Sequence, residues 1–108
     1  MIVVSRKCPR FAVQLEVRFG KEHTETSGTI LNLSQDGCMI MTDQPAEPAQ
    51  YLQLDMYLVD GHAPVRVSLA AVRWSSATRF GLEYIKVGSE EQERLKLFMV
   101  TLGENPIR

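Results

Sequence analysis

The 108-residue sequence predicts a domain dominated by β-structure, with about six antiparallel strands and one C-terminal helix. Three observations carry this. Short segments alternate apolar and polar residues with period two, turn residues separate those segments, and a single late stretch changes to helical spacing. Hydrophobic residues at 44% and charged residues at 23% supply a core for one domain over residues 1–108 and exclude a disordered chain.

Val13, Leu15, Val17 and Phe19 alternate with Gln14, Glu16 and Arg18, the pattern of a half-buried strand. Gly20 to Glu25 is polar and turn-like. Thr26 to Leu33 forms the second strand, with Ile30 (or Leu31) and Leu33 facing inward. Asn32 to Gly37 makes a tight connection into a third strand, Cys38 to Thr42. Pro45 and Pro48 keep Asp43 to Gln50 out of any ladder. Leu52, Leu54, Met56 and Leu58 alternate cleanly, and Asp60-Gly61 turns the chain into Val65, Val67, Leu69 and Ala71. This fifth strand continues to Trp74, but its alternation slips near Ala70-Ala71-Val72, which calls for a bulge or bend. Ser75 to Thr78 turns, and Phe80, Leu82 and Tyr84 share one face of the last strand, so the barrel region spans residues 13–86.

The helix runs from Ser89 to Leu102. Ser89 and Gln92 have capping-box spacing, with Glu90 and Glu91 at the positive helix end. Leu95, Phe98, Met99 and Leu102 make one apolar stripe, and Gly103 and Pro106 end the helix. The stripe needs a surface to dock on, and the β unit supplies it. Closure would remove exposed edges, which favours a closed or nearly closed barrel; a two-layer α+β sheet is the alternative.

Twelve Lys and Arg against thirteen Asp and Glu give a net charge of −1, too few cations for a general nucleic-acid coat. The charge is unevenly placed. Residues 1–21 carry five basic groups and one acid, whereas the rest of the chain carries seven basic and twelve acidic groups. A local positive site on a near-neutral protein suits a small, compact anion. Outward strand faces lack aromatic residues interleaved with basic ones, which argues against an RNA- or single-strand-binding barrel. Met1 to Val4 is too short for a signal-peptide core, and no apolar run reaches membrane-spanning length. Cys8 and Cys38 form no disulfide framework, so the chain reads as cytoplasmic and reduced, without membrane insertion.

Catalytic groups are scarce. His23 and His62 fall at turns without ligand-spaced neighbours, and Ser34 has Asp36 nearby but no histidine base. The expectation is no enzyme activity, no metal and no cofactor. Trp74 reads as core or rim packing, with stacking on a ligand as the alternative; Met39, Met41, Met56 and Met99 read as core or rim.

Two motifs remain. Arg6-Lys7-Cys8-Pro9-Arg10-Phe11 places two guanidiniums with three residues between them in a basic leader, residues 1–12, and arginine forks match phosphate oxygens or the guanine O6/N7 edge. In Asn32-Leu33-Ser34-Gln35-Asp36-Gly37, an extended chain would turn Asn32 and Ser34 outward together while Leu33 enters the core. Gly37 supplies either a positive φ or a close backbone approach.

Arg-x-x-x-Arg, then Asn-x-Ser-x-x-Gly, then a run ending in Arg79-Phe80-Gly81-Leu82-Glu83-Tyr84, resembles the PilZ domain family over roughly Ser5 to Leu102. The resemblance implies a six-stranded antiparallel β-barrel with a C-terminal α-helix, binding the bacterial second messenger cyclic di-GMP. Carried over by motif, Arg6 and Arg10 grip phosphates and guanine edges, and Asn32, Ser34 and Gly37 form the second contact. Many relatives carry a basic residue directly before the first motif arginine, where this chain has Ser5. Lys7 offers a point charge on the other side. The resemblance further implies an effector protein or dimer mate as the recipient of the signal, with outputs in motility, pili or exopolysaccharide. A ligand-independent adaptor of the same fold is the alternative.

Overall fold

The computed structural model describes residues 9–104. It contains β1 (Phe11–Gly20), β2 (Thr26–Leu33), β3 (Gly37–Met41), β4 (Tyr51–Tyr57), β5 (Val65–Ser75), β6 (Arg79–Val87) and α1 (Ser89–Glu104). All six strands belong to one closed antiparallel barrel in the order β1-β2-β3-β6-β5-β4, with β4 pairing back onto β1. Closure leaves no unpaired edge, and the two-layer alternative is excluded.

The alternating positions fill the interior. Val17, Ile30, Ile40, Leu54, Met56, Val67 and Phe80 are fully buried, and Phe19 meets Phe80 edge to face with ring centroids 5.0 Å apart. β1 begins at Phe11, two residues before the alternation from Val13 predicts, so the predicted leader gives up Phe11 and Ala12 to the barrel. The segment from Asp43 to Gln50 crosses one barrel end and is tied down at Val72. The Ala49 N–H donates to the Val72 carbonyl (3.0 Å), and the Val72 N–H donates to the Gln50 carbonyl (2.9 Å).

Strict period two fails at several places, and two of them shape the outer wall. Ile30 and Leu33 are both buried although three residues apart, because the β2–β3 register shifts between Ile30 and Asn32 and Leu31 absorbs the extra step. On β5, Ala70, Ala71 and Val72 are all buried, and the β5–β6 register shifts again between Val72 and Trp74. The second shift leaves both Arg73 and Trp74 on the outside.

Helix α1 docks through Leu95 and Met99, which are buried, with Phe98 and Leu102 half-buried beside them. Arg94 donates to the carbonyls of Pro64 (3.1 Å) and Ala63, and Glu91 accepts the Arg66 N–H (3.0 Å), so the helix is pinned to the β4–β5 connection. Two expectations need correction. Gly88 supplies the carbonyl of the first helical hydrogen bond (2.8 Å), and the Gln92 side chain donates to the Val87 carbonyl (3.1 Å), so the cap sits one residue before Ser89. Gly103 lies inside the last turn instead of ending the helix, and Pro106 is outside the described residues. Among the described residues no helix is long and apolar enough to cross a membrane.

Candidate functional site

Antiparallel pairing aligns one row of residues across four strands. Asn32 on β2 opposes Met39 on β3, Met39 opposes Gly81 on β6, and Gly81 opposes Trp74 on β5. A second row beside it sets Gly37 opposite Glu83. Both rows face outward, because Cys38 and Leu82 between them, and Ile40 and Phe80 on the other side of the first row, point into the barrel. A cavity of about 270 Å³ lies on this wall, and its lining includes Arg10, Asn32, Met39, Arg73, Trp74 and Glu83.

Two glycines make the room. A Cβ on Gly37 would collide with the Leu82 carbonyl oxygen, so β3 and β6 can approach only if position 37 is bare. Its φ is not in the left-handed region, which settles the two roles open for Gly37 in favour of close approach. A Cβ on Gly81 would strike the five-membered ring of the Trp74 indole. That ring therefore lies on the Gly81 backbone, while Trp74 remains 44% exposed and offers its other surface to the cavity.

The β2–β3 turn is organised by Ser34. Its hydroxyl donates to Asp36 Oδ1 (2.5 Å) and accepts the backbone N–H groups of Asp36 and Gly37 (3.2 Å each). The Ser34 N–H donates to the Gly37 carbonyl (2.9 Å), and the Asp36 carbonyl accepts the Tyr84 N–H (3.0 Å). Ser34 is 1% exposed. The outward projection expected for it is thus corrected: β2 ends at Leu33, the two-residue alternation ends with it, and the hydroxyl turns back to satisfy the turn backbone. Asn32, still within the strand, is half-buried and reaches the cavity.

Arg10 immediately precedes β1 and lines the cavity. Across the cavity, Arg73 Nε and Nη2 both close on Glu83 Oε1, at 2.7 and 2.6 Å. Beneath the wall, burial pushes the Cys38 thiol up to about 12, with a smaller opposing effect from a hydrogen bond with Tyr84. Burial raises the Tyr84 hydroxyl as well, and Cys38 beside it adds to the effect. The Tyr84 hydroxyl donates to Met56 Sδ at 3.6 Å. Cys38 is therefore a neutral packing group and no nucleophile.

Of the residues singled out from sequence, the fold brings Arg10, Asn32 and Gly37 to one cavity, with Ser34 buried in the turn beside it. Arg6 and Lys7 lie outside the described residues, as does Cys8. Arg73, Trp74, Gly81 and Glu83 join the site only through cross-strand register. Their signals in sequence were the broken alternation before Trp74 and the Arg79 to Tyr84 run. Met39 belongs to the site wall, while Met56 and Met99 are core. Among the described residues no group of three or more His, Cys, Asp or Glu could hold a metal ion. His23 and His62 are exposed at turns. A larger cleft of about 620 Å³ between the β2–β3 turn and α1 is lined by Asp36, Glu93 and Lys96 among others, with no arginine. It suits a dianion less well than the arginine-lined wall.

Fold and cavity together define a small β-barrel domain with an exposed indole and arginines on its outer wall. The sequence model of the PilZ domain matches residues 5–100, and the chain belongs to the PilZ domain family, a family of non-catalytic domains associated with cyclic di-GMP signalling. Solved structures that share the fold include three from different proteins. The inhibitor of motility MotI/DgrA from Bacillus subtilis aligns at TM-score 0.79 and 20% identity, over 98% of this chain and 55% of that one. The MrkH–c-di-GMP complex of K. pneumonia aligns at 0.71 and 16%, over 95% and 54%. The PilZ domain of CeSA from a cellulose-synthesizing bacterium aligns at 0.68 and 13%, over 86% and 97%. The chain thus spans about half the length of the first two and nearly all of the third. No match was found among curated proteins.

Proposed function

We propose that this chain binds cyclic di-GMP on the β2–β3–β6–β5 wall and passes the signal to an effector protein or a dimer mate. One observation carries the reading: the row Asn32–Met39–Gly81–Trp74, flanked by Arg10 and Arg73, in a chain of the PilZ family. The ligand presents two phosphates and two guanines. Arginine forks neutralise and orient the phosphates or guanine edges, and an indole face takes a base by stacking. Asn32 lies where its amide can meet a base lying along the row. Ser34 serves the site indirectly in this reading, by holding the turn that presents Asn32 and Gly37. Arg6 and Lys7 complete the grip from the leader, and the domain works in the cytoplasm. Contact between the ligand and the leader cations converts messenger concentration into a change of surface that a partner reads.

The test is calorimetric titration of wild type, Arg10→Ala and Arg10→Lys at two salt concentrations, with a thermal melt of each. A charge-assisted contact is worth about 1.5–3 kcal/mol, so Arg10→Ala should weaken binding about tenfold or more. Arg10→Lys should recover little of it, because the charge returns without the planar fork. The melts should coincide, since Arg10 is exposed outside the core. Absence of binding by wild type at about 100 μM ligand, a free energy near −5.5 kcal/mol, overturns the reading in favour of the adaptor.

A further inference from the structure

Resting on that functional reading, we infer that Arg73 and Glu83 act together as the base-selecting pair, reading one guanine and rejecting adenine. Neither residue belongs to the leader or to the Asn32–Gly37 motif. Glu83 is at first sight misplaced, since it puts a carboxylate on the wall of a cavity meant for a dianion. Its geometry supplies a reason. The Arg73 fork closes on Oε1 alone, so Oε2 of the same carboxylate and Nη1 of the same guanidinium lie outside the shared bonds. The pair therefore leaves one donor and one acceptor free for a ligand, on the wall that also carries the exposed Trp74.

A base stacked on that indole turns its edge toward this pair. The pairing edge of guanine offers the O6 acceptor followed by the N1–H and N2–H donors, so O6 meets Arg73 while the donors meet Glu83. Adenine presents the opposite order, an N6–H donor followed by the N1 acceptor. It would set an amino group against the guanidinium and a lone pair against the carboxylate. A site built to pair specific donors and acceptors discriminates far more strongly than a shape-selecting one, because a mismatch leaves polar groups unpaired. The carboxylate's repulsion of phosphate is limited by Arg73, which holds it on the base side of the cavity.

The experiment titrates the full chain with cyclic di-GMP and cyclic di-AMP. It compares wild type, Glu83→Gln and Glu16→Gln, the last removing the same charge from β1 on the far side of the barrel. Wild type should prefer the guanine ligand. Glu83→Gln should weaken cyclic di-GMP binding about tenfold or more and tighten cyclic di-AMP binding, because a carboxamide offers adenine both a donor and an acceptor. Glu16→Gln should change neither ratio, and all three melts should agree. If Glu83→Gln tightens both ligands, Glu83 is only a repulsive charge and the inference is overturned. Unchanged affinities overturn it as well, with the functional reading left standing. Failure of wild type to bind cyclic di-GMP at all overturns both.

Discussion

The barrel has two arginine-bearing walls, and only one of them carries the proposed site. On the β1–β4–β5 side, Arg66 makes a two-pronged contact with Asp55 at 2.8 and 2.9 Å. Arg18 lies between Glu16 (3.5 Å) and Glu25 (3.9 Å), with its guanidinium 5.8 Å from the Tyr57 ring centre. Side chains fill that wall and leave a crevice of about 40 Å³. On the β2–β3–β6–β5 side the same residue types surround a cavity several times larger, because Gly37 and Gly81 withhold side chains and a register shift turns Trp74 outward. Arginine alone does not make a binding wall. What differs is the space in front of it, and that space comes from glycine, strand register and a bulge.

The comparison is broken most severely by filling the space. Gly37→Val must push its side chain against the Leu82 carbonyl and open the β3–β6 ladder. The expected cost is about 2–3 kcal/mol in a denaturant melt, with loss of cyclic di-GMP binding. Gln53→Val, exposed on β4 beside the small crevice, should shift stability by no more than about 0.5 kcal/mol and leave binding intact.

The next effect probes what lies under the site wall. The Cys38 thiol is held protonated up to about 12 in the fold but ionises near its ordinary value of 9.0 when unfolded. Between those values the unfolded chain has lost a proton that the folded chain keeps, so the contribution is fully present below pH 9 and falls as pH rises toward 12. The slope should approach about 1.4 kcal/mol per pH unit. Chemical denaturation at pH 8, 9 and 10, about the ordinary thiol range, should show this fall in wild type and a flatter profile in Cys38→Ala. Equal slopes would contradict it.

The smallest effects separate the walls cleanly. Asn32→Ala should weaken ligand binding about two- to tenfold with little change in stability. Arg66→Ala should do the reverse, costing under about 1 kcal/mol of stability and leaving affinity unchanged. If Arg66→Ala weakens binding as much as Asn32→Ala, the assignment of the site to one wall is wrong.

How much of this was readable in the sequence depends on the range of the interaction. Val13 to Phe19 and Leu52 to Leu58 announced strands because alternation is local and one face is buried. Leu95, Phe98, Met99 and Leu102 announced the helix for the same reason. The slip at Ala70-Ala71-Val72 announced the irregularity before Trp74, whereas the bulge at Leu31 was less visible, since a one-residue shift is fixed by the neighbouring strand and not by the strand's own pattern. The site follows the same division. Arg10, Asn32 and Gly37 were found through short motifs, whereas Gly81, Glu83 and Arg73 meet them only across strand pairs. Only the outward orientation expected of Ser34 failed, because extended geometry was carried one residue past the end of β2, where the hydroxyl instead closes the turn.

The central claim is that the messenger binds on one wall, and amide chemical-shift mapping tests it most directly. Cyclic di-GMP is titrated into the isotopically labelled 108-residue chain and the shifted resonances are assigned. The largest changes should fall at Arg10, Asn32, Asp36 to Met39, Arg73, Trp74 and Gly81 to Glu83, with the Trp74 indole N–H among them. Arg18, Tyr57 and Arg66 should stay still. Shifts concentrated at those three residues, or along the cleft between Gln92 and Lys96, would contradict the account.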